Sequence, residues 1–456
     1  MTERILIRNG RVIDPASGLD KTADVLVEGG CIAAVGPDLK AEGARKIDAR
    51  GLVVAPGFVD LHTHLREPGL EYKEDIATGT LAAARGGFTT VCAMPNTEPA
   101  MDNRSIIEHV LREAEARASV RVLPIGAVSR GRAGKELAEL GDLAAAGCVA
   151  FSDDGAPVWD ATLMRRALEY ANGLGLPIID HCEDPSLARD AVMHEGWVST
   201  RLGLRGAPAA SEEAAVTRDI ALAEATGAHV HIAHVSTRGA IEAIRAAKAR
   251  GLRVTAEVTP HHLTLTEEIV AFGSGGGWDL VYDTNAKVNP PLRSQDDVDA
   301  CGAALADGTI DCIATDHAPH AVIEKLCEFD DAAFGISGLE TAFGLCMRLA
   351  HDGRITLETL IERLTIGPVR ALGLDRVVPG IGTLAVGAPA DIVLLDAAAE
   401  WVVEPERFAS KGKNTPLGGV TLRGGVAMTV SNGVVVHDHQ RPTTSDQRPT
   451  SGVPVG

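Results

Sequence analysis

Two histidines, His62 and His64, stand two residues apart at the end of an apolar run and have the spacing of metal ligands. The run from Leu52 to Asp60 consists mainly of Val, Leu, Ala and Phe, which is typical of a buried strand. Because side chains alternate between the two faces of a strand, both imidazoles point the same way. Arg66 has the same parity and could reach the same pocket. The pattern favours a two-point metal clamp over exposed histidines that merely end a strand.

Further polar residues follow other apolar runs. Apolar runs alternate with helical patterns eight times, which predicts an α/β fold, a (β/α)8 TIM-type barrel. No G-x-G-x-x-G motif follows an early strand, so a doubly wound dinucleotide fold has less support. The strands of a barrel end at one mouth, where these residues would meet. They are Asn96 after the second run, Asp153 and Asp154 after the fourth, His181 after the fifth, His234 after the sixth, and Asp316 with His317 after the eighth.

Four histidines and two carboxylates are too many ligands for one tetrahedral zinc ion. They suit two divalent ions that share a bridging oxygen ligand. Imidazole nitrogen with carboxylate oxygen favours Zn²⁺, with Mn²⁺ or Co²⁺ as alternatives. A water bridging two such ions becomes hydroxide near neutral pH, which predicts a hydrolase, and Asp316 could exchange a proton with it. Spacing does not decide among His229, His231 and His234, because barrel strands are buried on both faces.

The length of 456 residues fits a barrel plus an accessory domain. Both chain ends consist of short apolar runs split by Asn-Gly, Gly-Gly or Pro-Gly pairs, which are turn signals. This texture predicts one small β-sandwich built from both ends. The predicted division is 1–56 for the first part of the sandwich, 57–376 for the barrel with its metal site, 377–438 for the second part of the sandwich, and 439–456 for a disordered, polar and Pro-rich tail.

The composition is that of an ordinary globular protein, with 45% hydrophobic and 23% charged residues. A formal net charge of −19 argues against binding to nucleic acid or to an anionic membrane. The eight cysteines form no C-x-x-C pair and lie scattered in apolar segments, which favours reduced thiols and a cytoplasmic location. We expect neither a signal peptide nor a membrane span, since no apolar run approaches roughly 20 residues.

Taken together, the motifs resemble those of the class I dihydroorotases of the amidohydrolase superfamily. The resemblance extends to about residue 437, with the motifs in the order of that family. They are DLHTHLREPG, AMPNTEP, FSDDG, HCED, HVS, EVTPHHL, KVNPPLR, ATDHAPH, FGISGLET and KGKNTP. The resemblance implies a dihydroorotase. Such enzymes reversibly cyclise N-carbamoyl-L-aspartate to L-dihydroorotate in de novo pyrimidine (UMP) biosynthesis.

The resemblance also implies roles for matching positions. The implied metal ligands are His62, His64 and Asp316 for the more buried ion, His181 and His234 for the other ion, and Asp154 as the bridge between them. Asp316 would in addition be the general acid/base that exchanges a proton with the bridging hydroxide. The implied substrate-binding residues are Arg66, Asn96, Asn289, His320, and the backbone of Phe334 and Gly335. The segment from His320 to Gly338 matches a mobile loop over the site.

Two local features depart from related sequences. Many relatives bridge their metals with a carboxylated lysine after the fourth strand, but CVAFSDDG has no lysine. This absence argues against a hydantoinase and against the lysine-type dihydroorotases. Asp180 stands before His181, where a small residue is expected, and would alter the surroundings of that ligand without removing it.

Two alternative functions compete with the dihydroorotase interpretation. One is another cyclic-ureide amidohydrolase, of the hydantoinase or allantoinase kind, against which Arg66 and Asn96 argue. The other is a non-catalytic scaffold for aspartate carbamoyltransferase, against which the six filled ligand positions argue. A catalytic chain that also binds that transferase, and a homodimer, are further expectations about partners. The residues themselves indicate neither partner nor oligomeric state.

Overall fold

The structure, a computed structural model, describes residues 3–275 and 280–439. Its N-terminal part is made of five short strands joined by tight turns. Gly29 and Gly30 form one such turn, and both have the positive φ that glycine tolerates best. The strands are β1 (Ile5–Asp14), β2 (Leu19–Glu28), β3 (Cys31–Gly36), β4 (Arg45–Asp48) and β5 (Val53–Pro56).

The Asn9-Gly10 pair was expected to be a turn between strands and is instead a bulge inside β1. The pairing register between β1 and β2 shifts at this point, and Asn9 has a φ of 64°. The backbone N–H of Asn9 donates to Asp24 Oδ1 at 3.0 Å, so the buried carboxylate supports the bulge. A single strand with a bulge therefore replaces two shorter ones.

Eight parallel strands follow, in the same order in the sheet as in the chain, so the predicted barrel is confirmed. The strands are buried on both faces, as a barrel requires. A bridge between Thr63 and His317 links the two ends of the sheet. The strands are β6 (Phe58–Thr63), β7 (Phe88–Ala93), β8 (Arg121–Gly126), β9 (Ala150–Phe151), β10 (Ile178–Asp180), then outside the barrel β11 (Met193–His194) and β12 (Gly206–Ala207), then β13 (Val230–Ile232), β14 (Val254–Val258) and β15 (Cys312–Ile313).

Helices surround the barrel, and several begin at a residue whose side chain caps the first turn. Asp160 accepts from the backbone of Thr162 and Leu163, and Thr237 accepts from Ala240. Within the described residues no helix is both long and apolar enough to cross a bilayer. The helices are α1 (Ile76–Arg85), α2 (Arg104–Arg117), α3 (Leu140–Ala146), α4 (Ala161–Leu174), α5 (Trp197–Leu202), α6 (Ala209–Thr226), α7 (Arg238–Ala249), α8 (Glu268–Phe272), α9 (Gln295–Asp307), α10 (Ala342–His351), α11 (Leu357–Leu364) and α12 (Ile366–Leu372).

The C-terminal strands β16 (Ile392–Val402), β17 (Thr421–Ser431) and β18 (Val434–Asp438) return to the N-terminal ones. Both chain ends form one continuous sheet in the order β18-β17-β16-β5-β1-β2-β3, with β4 beside β1. Aliphatic side chains from both ends share one core. The boundaries of the predicted domains, at residues 56/57 and 376/377, remain a proposal. The predicted tail 439–456 lies outside the described residues except for its first residue.

Candidate metal centre and active site

The first four predicted ligands form a compact group at the barrel mouth. His62 Nε2 lies 3.2 Å from Asp154 Oδ1 and 3.5 Å from Asp316 Oδ1. His64 Nε2 lies 3.0 Å from Asp316 Oδ1 and 3.5 Å from Asp154 Oδ2. All four side chains are buried. The parity predicted for His62 and His64 therefore does bring both rings to the same place.

The two remaining ligands approach from the other side of Asp154. His181 Nδ1 lies 3.8 Å and His234 Nε2 lies 3.6 Å from Asp154 Oδ1, and these two ring nitrogens are 2.9 Å apart. Among the described residues, Asp154 is thus the carboxylate that contacts all four ligand histidines. The structure brings together the full predicted ligand set, with Asp154 in the middle.

Unpaired polar atoms in this cluster test whether its residues suit a metal. His62 Nε2, Asp154 Oδ1 and His234 Nδ1 are buried and make no hydrogen bond within the described part of the chain. Such atoms are costly unless a ligand satisfies them. Two triads each hold their ligand atoms within 4.8 Å of one another, namely His62 with His64 and Asp316, and His62 with Asp154 and His234. The donor set fits divalent transition-metal ions.

The charges of the cluster are those that metal ligands need. Burial alone would raise the pKa of Asp154 and Asp316, but the imidazoles around them, above all that of His62, outweigh it and hold both pKa values well below the usual range. Both side chains are therefore carboxylates at neutral pH, the form that binds metal. Burial lowers the pKa of Arg66 to about 10, so its guanidinium stays charged beside them.

Asp153 differs from its neighbour because it faces the protein interior. Its Oδ1 accepts from the backbone N–H of Val128 at 2.9 Å and of Ser129 at 3.0 Å, and its Oδ2 accepts from the Ser129 hydroxyl. Burial raises the pKa of Asp153 to about 6. The carboxylate of Asp153 is thus fully used in holding the loop after β8, which leaves Asp154 free to face the histidines.

Asp60 positions two of the ligand-bearing segments relative to each other. Its Oδ1 accepts from the backbone of His62 at 3.2 Å and of Thr315 at 2.9 Å, and its Oδ2 accepts from the Thr315 hydroxyl at 2.5 Å. This completely buried side chain therefore ties the end of β6 to the segment after β15. Asp316, which follows Thr315, is brought beside His62 and His64 as a result.

Three site residues depart from strand geometry. Arg66, His234 and Asp316 have φ values of 62°, 32° and 46°, in the left-handed region that non-glycine residues seldom adopt. Such backbone strain often clusters at functional sites, where the surroundings hold it in place. Strand alternation alone therefore does not describe the backbone at these three positions.

Two predicted substrate-binding residues of the 320–338 segment, His320 and Phe334, contact each other. His320 Nε2 donates to the carbonyl of Phe334 at 2.8 Å, and Arg66 Nε donates to the carbonyl of Pro319 at 3.3 Å. Gly335 has a φ of 145°, and a Cβ there would come within 2.6 Å of Ala318. Only glycine can occupy this position without moving the segment.

The two predicted asparagines contact ligand histidines directly. Asn96 Oδ1 accepts from His64 Nδ1 at 2.7 Å. Asn289 Nδ2 donates to His181 Nε2 at 3.2 Å and to Glu183 at 2.9 Å. Each amide therefore lies at the edge of the cluster and orients one imidazole.

Sequence reasoning missed several residues that support the site. Glu257 contacts His62, the guanidinium of Arg132 donates to the backbone carbonyl of Asp154, and Asn414 holds the 320–338 segment. A signal was available for Glu257 alone, because a glutamate in the middle of an apolar barrel strand must find a partner. Arg132 and Asn414 lie in loops whose path the sequence does not specify.

Comparison with known proteins identifies the family. The family model described as Dihydro-orotase-like matches residues 51–240. The chain is 55% identical to a protein named Dihydroorotase from Anaeromyxobacter dehalogenans strain 2CP-1, over 97% of this chain and 99% of the relative. It is 52% identical to the Dihydroorotase of Geotalea daltonii, over 95% of this chain and 99% of the relative. The chain belongs to the dihydroorotase family. Dihydroorotases are hydrolases of cyclic amides in the amidohydrolase superfamily.

Several solved structures have the same barrel fold as this chain. The dihydropyrimidinase from Brevibacillus agri NCHU1002 superposes with a TM-score of 0.82, at 25% identity over 96% of each chain. The L-hydantoinase from Arthrobacter aurescens gives a TM-score of 0.84, at 26% identity over 96% of each chain. The fold is therefore shared with enzymes named for other cyclic amides, while the sequence is far more similar to the dihydroorotases.

Proposed function

We propose that the chain is a dihydroorotase that interconverts N-carbamoyl-L-aspartate and L-dihydroorotate in de novo pyrimidine biosynthesis. The observation that carries this proposal is the convergence of the predicted ligands around Asp154 with the buried, charged Arg66 in the same mouth. This combination suits the hydrolysis of a cyclic amide that bears a carboxylate.

The proposed cofactor is a pair of divalent ions, with Zn²⁺ as the expected metal. When bound, the ions would polarise the ring carbonyl and lower the pKa of a water molecule. The proposed ligands are those of the cluster, namely His62, His64 and Asp316 for one ion, His181 and His234 for the other, and Asp154 between them.

The substrate carboxylate is assigned to Arg66, whose planar guanidinium can form two parallel hydrogen bonds with it. Burial, together with the charges of Arg66 and Lys73, lowers the pKa of His320 to about 3, so this imidazole is neutral at pH 7 and adds a hydrogen bond without charge. Asn96, Asn289 and the backbone of Phe334 and Gly335 complete the proposed contacts. The segment that carries His320 would close over the bound ring and exclude water.

Asp316 is proposed to move the proton. In ring opening, the Asp316 carboxylate takes a proton from the attacking water and then gives it to the ring nitrogen as the C–N bond breaks. In ring closure, the same carboxyl group takes the proton from the carbamoyl nitrogen and returns it to the departing oxygen. Its Oδ1 lies 3.0 Å from His64, which places it inside the ligand cluster where this transfer must occur.

A panel of cyclic amides tests the proposal. Zinc-loaded protein is assayed with L-dihydroorotate, dihydrouracil, hydantoin and allantoin under the same conditions. We expect the highest kcat/KM with L-dihydroorotate, since it alone in this panel offers a ring carboxylate to Arg66. An Arg66→Lys variant should lose on the order of 2 kcal/mol of transition-state stabilisation with this substrate. Preference for an uncharged ring would contradict the proposal.

A hydantoinase-type activity is the second candidate, favoured by the similarity to solved hydantoinase structures. The absence of a lysine after the fourth strand and the presence of Arg66 argue against it. The third candidate is a non-catalytic scaffold for aspartate carbamoyltransferase. The presence of suitable residues at all six proposed ligand positions argues against it. The substrate panel separates all three, because a scaffold would act on none of the four compounds.

The proposed partners and location rest on the resemblance to the dihydroorotases. A cytoplasmic homodimer is expected, with the small-molecule substrate as the main ligand and aspartate carbamoyltransferase as a candidate protein partner. Light scattering coupled to size exclusion, with and without purified transferase, tests both protein contacts. A single species with the mass of one chain would contradict the dimer.

A further inference from the structure

Glu257, in the middle of β14, is a completely buried carboxylate that contacts a proposed metal ligand. Its Oε1 lies 2.7 Å from His62 Nδ1, and its Oε2 lies 3.1 Å from His231 Nε2 on the neighbouring strand β13. None of these three side chains has measurable exposure to solvent. A buried carboxylate needs donors on both oxygens, and these two imidazoles supply them.

The hydrogen bonds continue beyond His231 toward the far end of the barrel. His231 Nδ1 lies 2.8 Å from the hydroxyl of Thr255, and His229 Nε2 lies 2.8 Å from the same hydroxyl. The contacts to Glu257 are satisfied with neutral imidazoles when the Thr255 hydroxyl hydrogen points to His231 Nδ1 rather than to the carbonyl of Ala371, which lies 3.3 Å from the same oxygen. His229 then donates to Thr255, Thr255 to His231, and His231 to Glu257.

An ionised carboxylate only accepts hydrogen bonds, so Nδ1 of His62 carries the hydrogen that it donates to Glu257, and Nε2 is left as the ring atom that can bind a metal. That Nε2 is the atom that faces Asp154 at 3.2 Å and makes no hydrogen bond within the described residues. The ring is thereby held in the tautomer and orientation that a metal ligand requires.

The two histidines of the H-x-H motif differ in this respect. His64 donates its Nδ1 hydrogen to the neutral amide of Asn96 at 2.7 Å, whereas His62 donates to a carboxylate. A carboxylate partner makes an imidazole a stronger metal ligand than a neutral partner does. His62 is also the ligand common to both triads of the cluster.

We propose that Glu257 is a positioning residue for the metal centre, which fixes His62 through Nδ1 and is itself held by His231. The inference rests on the proposed metal site. Glu257 on β14 and His231 on β13 would thus support the metal centre without being metal ligands themselves. Loss of the carboxylate should weaken metal binding although Glu257 does not face the metal side of His62.

Zinc affinity, measured by competition with a chelator of known affinity, tests this role. Glu257→Ala removes the acceptor for His62 and should weaken zinc binding by roughly 10- to 100-fold. Glu257→Gln keeps an oxygen for His62 but loses the charge, so it should recover most of that loss while remaining several-fold weaker than the unmodified protein. The visible absorption of the cobalt-substituted protein should change in Glu257→Ala because the ligand geometry changes.

Asp391→Asn is the matched control, because Asp391 is also a buried carboxylate but binds Arg121 and Asn432 away from the cluster. It should lower the melting temperature without changing zinc affinity or the cobalt spectrum. If Glu257→Ala does not fold, Glu257→Gln decides the matter. If the folded Glu257 variants bind zinc with the affinity and the cobalt spectrum of the unmodified protein, the role of Glu257 is wrong but the proposed metal centre stands. If the unmodified protein binds no zinc, the proposed metal centre itself is wrong.

Discussion

Asp153 and Asp154 are chemically identical neighbours, and the structure gives them opposite environments. Asp153 accepts hydrogen bonds from the loop after β8, while Asp154 faces four histidines. We predict that Asp154→Ala loses bound metal, whereas Asp153→Ala keeps the metal but unfolds more easily. Val128 N–H keeps a second acceptor in the carbonyl of Ser152, but leaving the backbone N–H of Ser129 unpaired should cost about 1–3 kcal/mol.

Elemental analysis and thermal unfolding of both variants check this prediction, with the unmodified protein as the reference. Metal lost from Asp153→Ala and retained in Asp154→Ala would show that the assignment within FSDDG is reversed.

Asp316 is asked both to bind metal and to transfer a proton. Asp316→Asn keeps the shape and one ligand oxygen but cannot exchange the proton, so both ring opening and ring closure should slow by at least about a hundredfold. Much of the bound metal should remain. Steady-state rates in both directions, together with metal content, provide the measurement. Near-normal rates in a fully loaded variant would assign proton transfer to another group, with His320 as the next candidate.

At the level of single residues, sequence reasoning selected the ligand candidates that the structure brings together, but not the residues that support them. Parity along the strand correctly placed His62 and His64 together, since both contact Asp316. Parity did not decide on His234, because barrel strands are buried on both faces, and the structure places this residue beyond the end of β13 with a φ of 32°. His231 is instead the partner of Glu257, a pairing between two strands that no spacing along one strand reveals.

Among the elements, the segment from His320 to Gly338 depends on two buried lysines. Lys325 donates to the carbonyls of Thr284 at 3.0 Å, Lys287 at 3.3 Å and Ala333 at 2.6 Å. Lys287 in turn donates to the carbonyls of Phe329 and Asp330. These contacts attach the segment to the chain just before Asn289. The loop is therefore bonded to the stretch that carries a proposed substrate-binding residue.

The charge of Lys325 makes this fastening sensitive to pH. Burial, aided by the charge of Lys287, lowers the pKa of Lys325 to about 7 from an ordinary value of 10.5. An opened segment would expose Lys325, which would then take up a proton below pH 10.5. The stability of the closed form relative to the open form should therefore rise as pH rises from about 7 to 10.5. Below pH 7 Lys325 is protonated in both forms and contributes no further change.

Limited proteolysis within residues 320–338 measures this effect. Cleavage, corrected for the protease's own pH dependence with an unfolded substrate, should slow as pH rises through that window. Lys325→Met should weaken the dependence, leaving the smaller part that comes from Lys287, whose pKa burial also lowers, while Lys248→Met, which removes a lysine paired with Asp311 elsewhere, should keep it in full. Saturating substrate should slow cleavage further. The same pH slope in Lys325→Met and the unmodified protein would refute the role of this lysine.

At the scale of the whole molecule, the C-terminal part of the chain reaches back to the active site through Asn414. Its Oδ1 accepts from the backbone of His320 at 2.9 Å and the hydroxyl of Ser337 at 3.0 Å, and its Nδ2 donates to the carbonyls of Ala318 and Gly335. One side chain therefore joins both ends of the loop segment. The KGKNTP motif thus supports the loop rather than forming part of the metal cluster.

Asn414→Ala should leave several buried groups unpaired and loosen the loop while retaining the metals. We expect kcat/KM to fall by on the order of tenfold and cleavage within 320–338 to accelerate. Asn172→Ala, which removes an asparagine bonded to Arg253 on another face, serves as the control. An unchanged kcat/KM in Asn414→Ala would show that the substrate site does not depend on this connection.

The architecture was predictable from alternation, because a buried strand such as β7 is a short, mostly apolar and β-branched run between helical patterns. The joining of both chain ends was also anticipated from their shared β texture. The order of strands within that joined sheet was not, since pairing between β5 and β16 is a contact across more than three hundred residues. The bulge at Asn9 likewise shows that an Asn-Gly pair permits a positive φ without requiring a chain reversal.

The central claim, a metal-dependent dihydroorotase, is tested most directly by zinc titration of chelator-stripped protein with hydrolysis of L-dihydroorotate as the readout. The stripped protein should be inactive, and activity should rise with added zinc and level off at about two ions per chain. The control is unmodified protein that has not been stripped. Full activity without metal, or no turnover of dihydroorotate in either direction at saturating zinc, would contradict the claim.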